Sequence, residues 1–126
     1  MSRQYVTTTL APQPAGPYSQ AIASNGFLYT AGQTPHHPDT GDVVVSTIYD
    51  QTVQAMTNLG EVLRAHDLDF SHVIKATVHL QHRDRDSVGC NEAYETFFTA
   101  PYPARTTVGS HLGDFLIEID VVAEIP

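Results

Sequence analysis

Phe115-Leu116-Ile117-Glu118-Ile119-Asp120-Val121-Val122-Ala123-Glu124-Ile125 alternates almost without a break between two kinds of residue. In a strand, Phe115, Ile117, Ile119, Val121, Ala123 and Ile125 share one face, and Leu116, Glu118, Asp120, Val122 and Glu124 share the other. The first is a core face. The second carries three carboxylates, which are costly unless that face meets water, a base or a polar pocket. Just upstream, Pro103-Ala104-Arg105-Thr106-Thr107-Val108 offers a partner strand on which Arg105 and Thr107 share a face. An arginine on one short strand and a carboxylate on the next predict a small polar site built on sheet.

Outward from this strand, the remaining elements follow from periodicity and breakers. Residues 10–17 hold three prolines and a glycine, so an extended loop is expected there. Asn25-Gly26 is a strong turn signal between two strand-like runs, the second being Phe27-Leu28-Tyr29-Thr30-Ala31. Val43-Val44-Val45 reads as a short strand after a second turn at Asp39-Thr40-Gly41-Asp42. Ser46 is placed to cap a helix running to about His66. Ile48, Thr52, Met56, Leu59 and Leu63 form its apolar stripe, widened by Ala55 and Val62. Gly60 weakens that helix and implies a close packing contact. Residues 73–81 form a strand, and residues 87–98 a second helix that places Cys90 and Asn91 near its start, with Pro101 and Pro103 ending it. Strands at about 104–109 and 115–124 complete the chain. The order strands, helix, strand, helix, strands describes a single α+β domain over residues 1–126, with two helices on one face of the sheet. The other face collects Arg105, Thr107, Glu118, Asp120, Lys75, Thr77 and His79, with Leu116 and Val122 among them. Such mixed polarity suits an oligomer interface.

Composition narrows the function. The chain has 126 residues, enough for a core without disulfides, and 14 Asp plus Glu against 6 Lys plus Arg, a formal charge of -8. That balance lacks the basic footprint that nucleic acid requires. One cysteine, no apolar signal-peptide core and no apolar run of membrane-spanning length give the expectation of a soluble cytoplasmic protein. The seven histidines show no HxxxH, HExxH or CxxC companion spacing, so no metal site is expected. No Gly-rich phosphate loop is present, and Cys90 reads as a small buried residue.

Several side chains remain for chemistry. Arg105 suits bidentate capture of a carboxylate, or alternatively a structural ion pair with Glu118 or Asp120. Glu118 and Asp120 are candidate general bases, with Glu124 a more distant competitor of the same parity. Tyr18 follows the rigid Gly16-Pro17 turn, and Asn91 offers an amide donor.

Gly16-Pro17-Tyr18-Ser19-Gln20-Ala21, Thr30-Ala31-Gly32-Gln33-Thr34-Pro35, Val73-Ile74-Lys75-Ala76-Thr77-Val78, Asn91-Glu92-Ala93-Tyr94-Glu95-Thr96-Phe97-Phe98, Pro103-Ala104-Arg105-Thr106-Thr107-Val108 and Ile117-Glu118-Ile119-Asp120 together resemble the Rid family. These are the YjgF-type reactive-intermediate deaminases, and the resemblance runs over residues 8–124 in family order. It implies a chorismate-mutase-like fold with a mixed sheet, assembled as a homotrimer around a central barrel with sites at the subunit interfaces. It also implies a cofactor-independent enzyme hydrolysing enamines and imines of the 2-aminoacrylate type to 2-ketoacid and ammonia, a 2-iminobutanoate/2-iminopropanoate deaminase-like activity.

By the same resemblance Arg105 holds the substrate carboxylate, Tyr18 is the pocket tyrosine and Asn91 the helix asparagine. Gly32 is a close-approach position, and Glu118 handles the water, with Asp120 the second choice. Ala31 stands where a serine is usual and Thr107 where a cysteine is usual, so both belong to the implied substrate-binding set as departures. The alternatives are a pathway-specific deaminase of a larger unsaturated amino acid, of the 2-aminomuconate type, or a non-catalytic trimer binding small ligands or partners. Endoribonuclease activity, a label given to some members, conflicts with the acidic charge.

Overall fold

In the computed structural model, which describes residues 2–126, a short edge strand β1 (Gln4–Val6) pairs antiparallel with β2 (Ala21–Ser24). Asn25 and Gly26, at φ 53° and 84°, then turn the chain into β3 (Phe27–Thr30). Positive φ at both central residues is what a tight two-residue hairpin loop requires, and it explains the Asn-Gly pair. Three residues of β1 are too few to show an alternation, and this strand was not anticipated.

Helix α1 (Ile48–Arg64) is capped by Thr47 rather than Ser46. The Thr47 hydroxyl accepts from the Asp50 amide at 3.2 Å, while Ser46 donates to the Asp50 carboxylate at 2.6 Å. Thr52, Ala55, Met56, Leu59, Val62 and Leu63 are buried along the expected stripe, with Ile48 packed at its margin. Gly60 meets the ring of Phe70: a β-carbon there would lie 3.1 Å from it, which accounts for a glycine inside a helix.

The strand β4 (Val73–Leu80) ends one residue before the expected Gln81. The Gln81 side chain instead accepts from the amides of Leu112 and Gly113. Helix α2 (Arg83–Tyr94) begins four residues ahead of the expected Ser87 and continues as a 3₁₀ turn over Glu95–Phe97. The residue before it, His82 at the N-cap, makes no side-chain cap, so the usual sequence signal is missing. Asp84 and Asp86 in the first turn serve the exposed amides electrostatically. Cys90 and Asn91 consequently sit in the C-terminal half of α2, not near its start. Val43-Val44-Val45 forms no strand: Val43 makes one bridge to His36, and Val45 is 93% exposed.

The last two strands, β5 (Ala104–Gly109) and β6 (Ile117–Glu124), complete one six-stranded sheet in the order β1-β2-β3-β6-β4-β5. All pairs are antiparallel except β4 with β5, which run parallel because α2 crosses between them. The sheet is thus mixed, with α1 and α2 packed on one face. Leu28, Val78, Leu80, Ile117, Ile119 and Val121 face the helices and are fully buried against Met56, Leu59 and Leu63. On the open face His79 opposes Glu118, Thr77 opposes Asp120 and Lys75 opposes Val122. No helix among the described residues is long and apolar enough to cross a membrane.

The register corrects one expectation. β4 separates β5 from β6, so Arg105 and Glu118 are not on neighbouring strands. Arg105 pairs with Ala76 and Thr107 with Val78, both buried under the helices. Arg105 and Thr107 therefore lie on the helix-covered face at the sheet edge, opposite the face that carries Glu118 and Asp120.

Candidate active site

Two concave regions divide the candidate residues between them. The larger is a cavity of about 670 Å³ lined by Tyr18, Gly32, Gln33, Thr34, His36, His37, Phe115 and Glu118, among others. Tyr18 is placed by its own turn: its amide donates to the Gly16 carbonyl at 2.9 Å, and its hydroxyl accepts from the Ala15 amide at 3.2 Å. Beyond β3 the chain runs alongside β6 again. The Gln33 amide donates to Ile119 O at 2.7 Å, and the Ile119 amide returns the bond at 3.0 Å. This double bridge brings Gly32 against Glu118 so tightly that a β-carbon at Gly32 would lie 2.7 Å from Glu118 Cδ. The His36 ring packs edge-on to Phe115 at 5.4 Å, closing another side of the cavity.

The second region lies on the far side of β4 and consists of two adjoining hollows of about 340 and 320 Å³. Arg105 and Asn91 line both, Tyr94 and Tyr102 the first, and Thr107, Cys90 and Arg83 the second. The Arg105 guanidinium stacks 4.7 Å from the centre of the Tyr94 ring. It makes no ion pair among the described residues, so the structural salt bridge with Glu118 or Asp120 is absent. Burial raises the Tyr94 phenol pKa against the opposing field of Arg105, and the Tyr94 hydroxyl has no hydrogen-bond partner among the described residues. Burial likewise pushes the Cys90 thiol up, which fits a small packed residue and not a nucleophile.

The structure thus groups Tyr18, Gly32 and Glu118 in one half and Asn91, Arg105 and Thr107 in the other. Ala31 lines neither; its amide donates to the Gln20 carbonyl at 2.9 Å. Asp120 lies one strand repeat beyond Glu118 and outside the larger cavity, with His79 Nε2 3.8 Å from its carboxylate. Burial raises its pKa, opposed by His79 and Lys75. No group of three or more His, Cys, Asp and Glu among the described residues is placed to hold a metal ion.

Sequence reasoning missed Tyr94 and the cavity wall of His36 and Phe115. Tyr94 stands three residues after Asn91, one helical turn on the same face, a spacing already contained in the expected helix over residues 87–98. Phe115 was read as part of the strand, whereas β6 begins only at Ile117.

Residues 8–125 match the family described as Endoribonuclease L-PSP. The chain belongs to this family, the YjgF-type Rid family. It is 42% identical to a RutC family protein of Pyrococcus horikoshii, over 96% of this chain and 97% of that one. It is 40% identical to the 2-iminobutanoate/2-iminopropanoate deaminase of Mus musculus, over 82% of this chain and 76% of that one. Among solved structures, that of E. coli TdcF with bound serine superposes with a TM-score of 0.91 at 30% identity, covering 98% of this chain and 99% of that one. Rid members thus share this α+β fold, and several relatives carry deaminase names.

Proposed function

We propose that this Rid-family chain is a cofactor-independent deaminase that hydrolyses small α-imino acids, formed from enamines of the 2-aminoacrylate type, to 2-ketoacid and ammonia. The observation that carries this reading is the division of the site. Arg105 has a stacked, unpaired cation in one half, and Glu118 has a carboxylate on a cavity in the other, on opposite faces of the same sheet. One chain does not bring them together. A second copy that lays its Glu118 half against the Arg105 edge does, and a homotrimer with three interface sites around a central barrel meets that need. The mixed polar open face around Lys75, His79 and Asp120 is then the interface surface.

The chemistry follows from the residue types. The enamine tautomerises to its imine, and the Arg105 fork holds the substrate carboxylate so that the C=N carbon faces one ordered water. Glu118 takes a proton from the water as its oxygen bonds to that carbon, and the C=N π electrons move to nitrogen. Glu118 delivers that proton to the nitrogen, giving a neutral carbinolamine; the hydroxyl proton then passes by way of Glu118 to the amine as the C–N bond breaks, leaving C=O and NH3. Arg105 and backbone N–H groups stabilise the charge that develops. Tyr18 and Asn91 contribute polar contacts to substrate from the two halves, Gly32 close backbone approach, and Thr107 a hydroxyl where the usual cysteine is absent. Ala31 supplies no side-chain donor.

The test is ammonia and pyruvate release from 2-aminoacrylate generated in situ, with Arg105→Ala beside the wild type. Acceleration by the wild type alone is expected; an equally active Arg105→Ala enzyme overturns the role of the arginine. A second reading, a deaminase of larger unsaturated amino acids of the 2-aminomuconate type, is favoured by Ala31, a smaller side chain than the serine usual there. Ammonia release from 2-aminomuconate and not from 2-aminoacrylate selects it. Endoribonuclease activity is disfavoured by the net charge of -8.

A further inference from the structure

Helix α1 is amphipathic, yet its buried side carries Gln51 and Asn58, 4% and 1% exposed and two turns apart on one face. Buried amides are costly unless their hydrogen bonds are made, so what they bind shows what they hold in place. Asn58 Nδ2 donates to two carbonyls, Thr34 O at 2.9 Å and His36 O at 2.8 Å. Its Oδ1 accepts from Gln54 Nε2 at 2.9 Å, which fixes the amide with its donors toward the loop. Gln51 Oε1 accepts from the Leu116 amide at 2.8 Å, just ahead of β6. One helix face therefore holds both the loop over residues 32–36 and the approach to the strand that carries Glu118.

We infer that Asn58 is a positioning residue for Glu118, acting through that loop. The inference rests on the reading of Glu118 as the group that handles the water. The path has no free joint. Asn58 fixes the loop from the helix side, and Gln33 is bridged twice to Ile119 on the sheet side. Gly32, the residue just before Gln33, touches the Glu118 side chain with no room for a β-carbon. If the loop lifts, that wall recedes, and the carboxylate loses the contact that restricts its rotamers. The enzyme then retains its fold and its Arg105 half but holds the base loosely, which lowers turnover more than substrate binding.

The experiment is a double-mutant cycle on imine hydrolysis by the full chain, with amide hydrogen exchange alongside. Asn58→Leu removes both donors at similar volume and is expected to lower kcat at least about tenfold with KM within about threefold. In a Glu118→Gln background the same substitution is expected to add no further loss, whereas a merely structural role lowers both backgrounds equally. Exchange at the Gln33 amide is expected to accelerate selectively. Should Asn58→Leu fail to fold, Gln54→Leu, which only frees the Asn58 amide to rotate, is expected to reproduce a smaller loss of the same kind. Equal losses in both backgrounds, or unchanged turnover and unchanged Gln33 exchange, overturn the inference. Full activity of Glu118→Gln alone overturns the reading of Glu118, while the exchange result still reports whether Asn58 holds the loop.

Discussion

The side chain of Glu118 lies against the backbone of Gly32, where a β-carbon would stand 2.7 Å from Cδ and 2.8 Å from Cγ. Gly32 is not needed for a left-handed turn, so its requirement is one of space. Sequence brought the two residues together only through family resemblance. The structure supplies the reason for the glycine: the Gln33–Ile119 bridge presses the loop onto the strand.

Gly32→Ala is expected to push the Glu118 side chain aside without breaking the fold, since a flexible side chain can yield where backbone cannot. Stability should fall by about 1 kcal/mol, while imine hydrolysis falls about 100-fold or more because the proposed general base is displaced. Thermal melts beside steady-state rates check this. A variant that loses stability but not activity contradicts the placement of Glu118.

Arg105→Lys keeps the charge and discards both the planar stack on Tyr94 and the two-pronged donor geometry. Loss of charge-assisted hydrogen bonds of about 1.5–3 kcal/mol corresponds to roughly 10- to 100-fold in kcat/KM. Kinetics on an imine and on its methyl ester separate the two contributions: the ester, which carries no carboxylate, should show no difference between Arg105 and Lys. An equal loss on both substrates contradicts carboxylate capture.

Asp120 gives a pH prediction of definite sign. Burial raises its pKa in the folded chain, so folding favours the protonated acid, and the stability this contributes is present in acid and lost as pH rises through the folded pKa. Asp120→Asn mimics the protonated form. It is expected to raise Tm at neutral pH, with the gain shrinking to nothing below the ordinary carboxylate range. A difference independent of pH contradicts the assignment of burial as the dominant influence.

Much of the fold was legible because its signals are local. The alternation of β6, the Asn25-Gly26 hairpin and the α1 stripe each lie within a short stretch of chain, and each forms as expected. What failed depended on distant partners. β5 is an exposed edge strand whose two faces differ little in burial, so neither face of Arg105-Thr106-Thr107 declares itself the core face. Its parallel pairing with β4 follows from the α2 crossover, and α2 starts without a side-chain cap to mark it. The candidate residues were therefore readable as a set, whereas their division into two halves was not, because that division is a matter of sheet order and register.

That division is the central claim, and mixing two defective chains tests it most directly. Arg105→Ala and Glu118→Gln are each expected to be folded, with imine hydrolysis reduced to a small but measurable residue. Co-assembled in equal amounts, they should regain about a quarter of wild-type imine hydrolysis, because random pairing joins an intact Arg105 to an intact Glu118 from a neighbouring copy at one interface in about four. Recovery near that level supports a site built between copies. No recovery from mixed oligomers verified by mass contradicts it, and places both groups' work within a single chain.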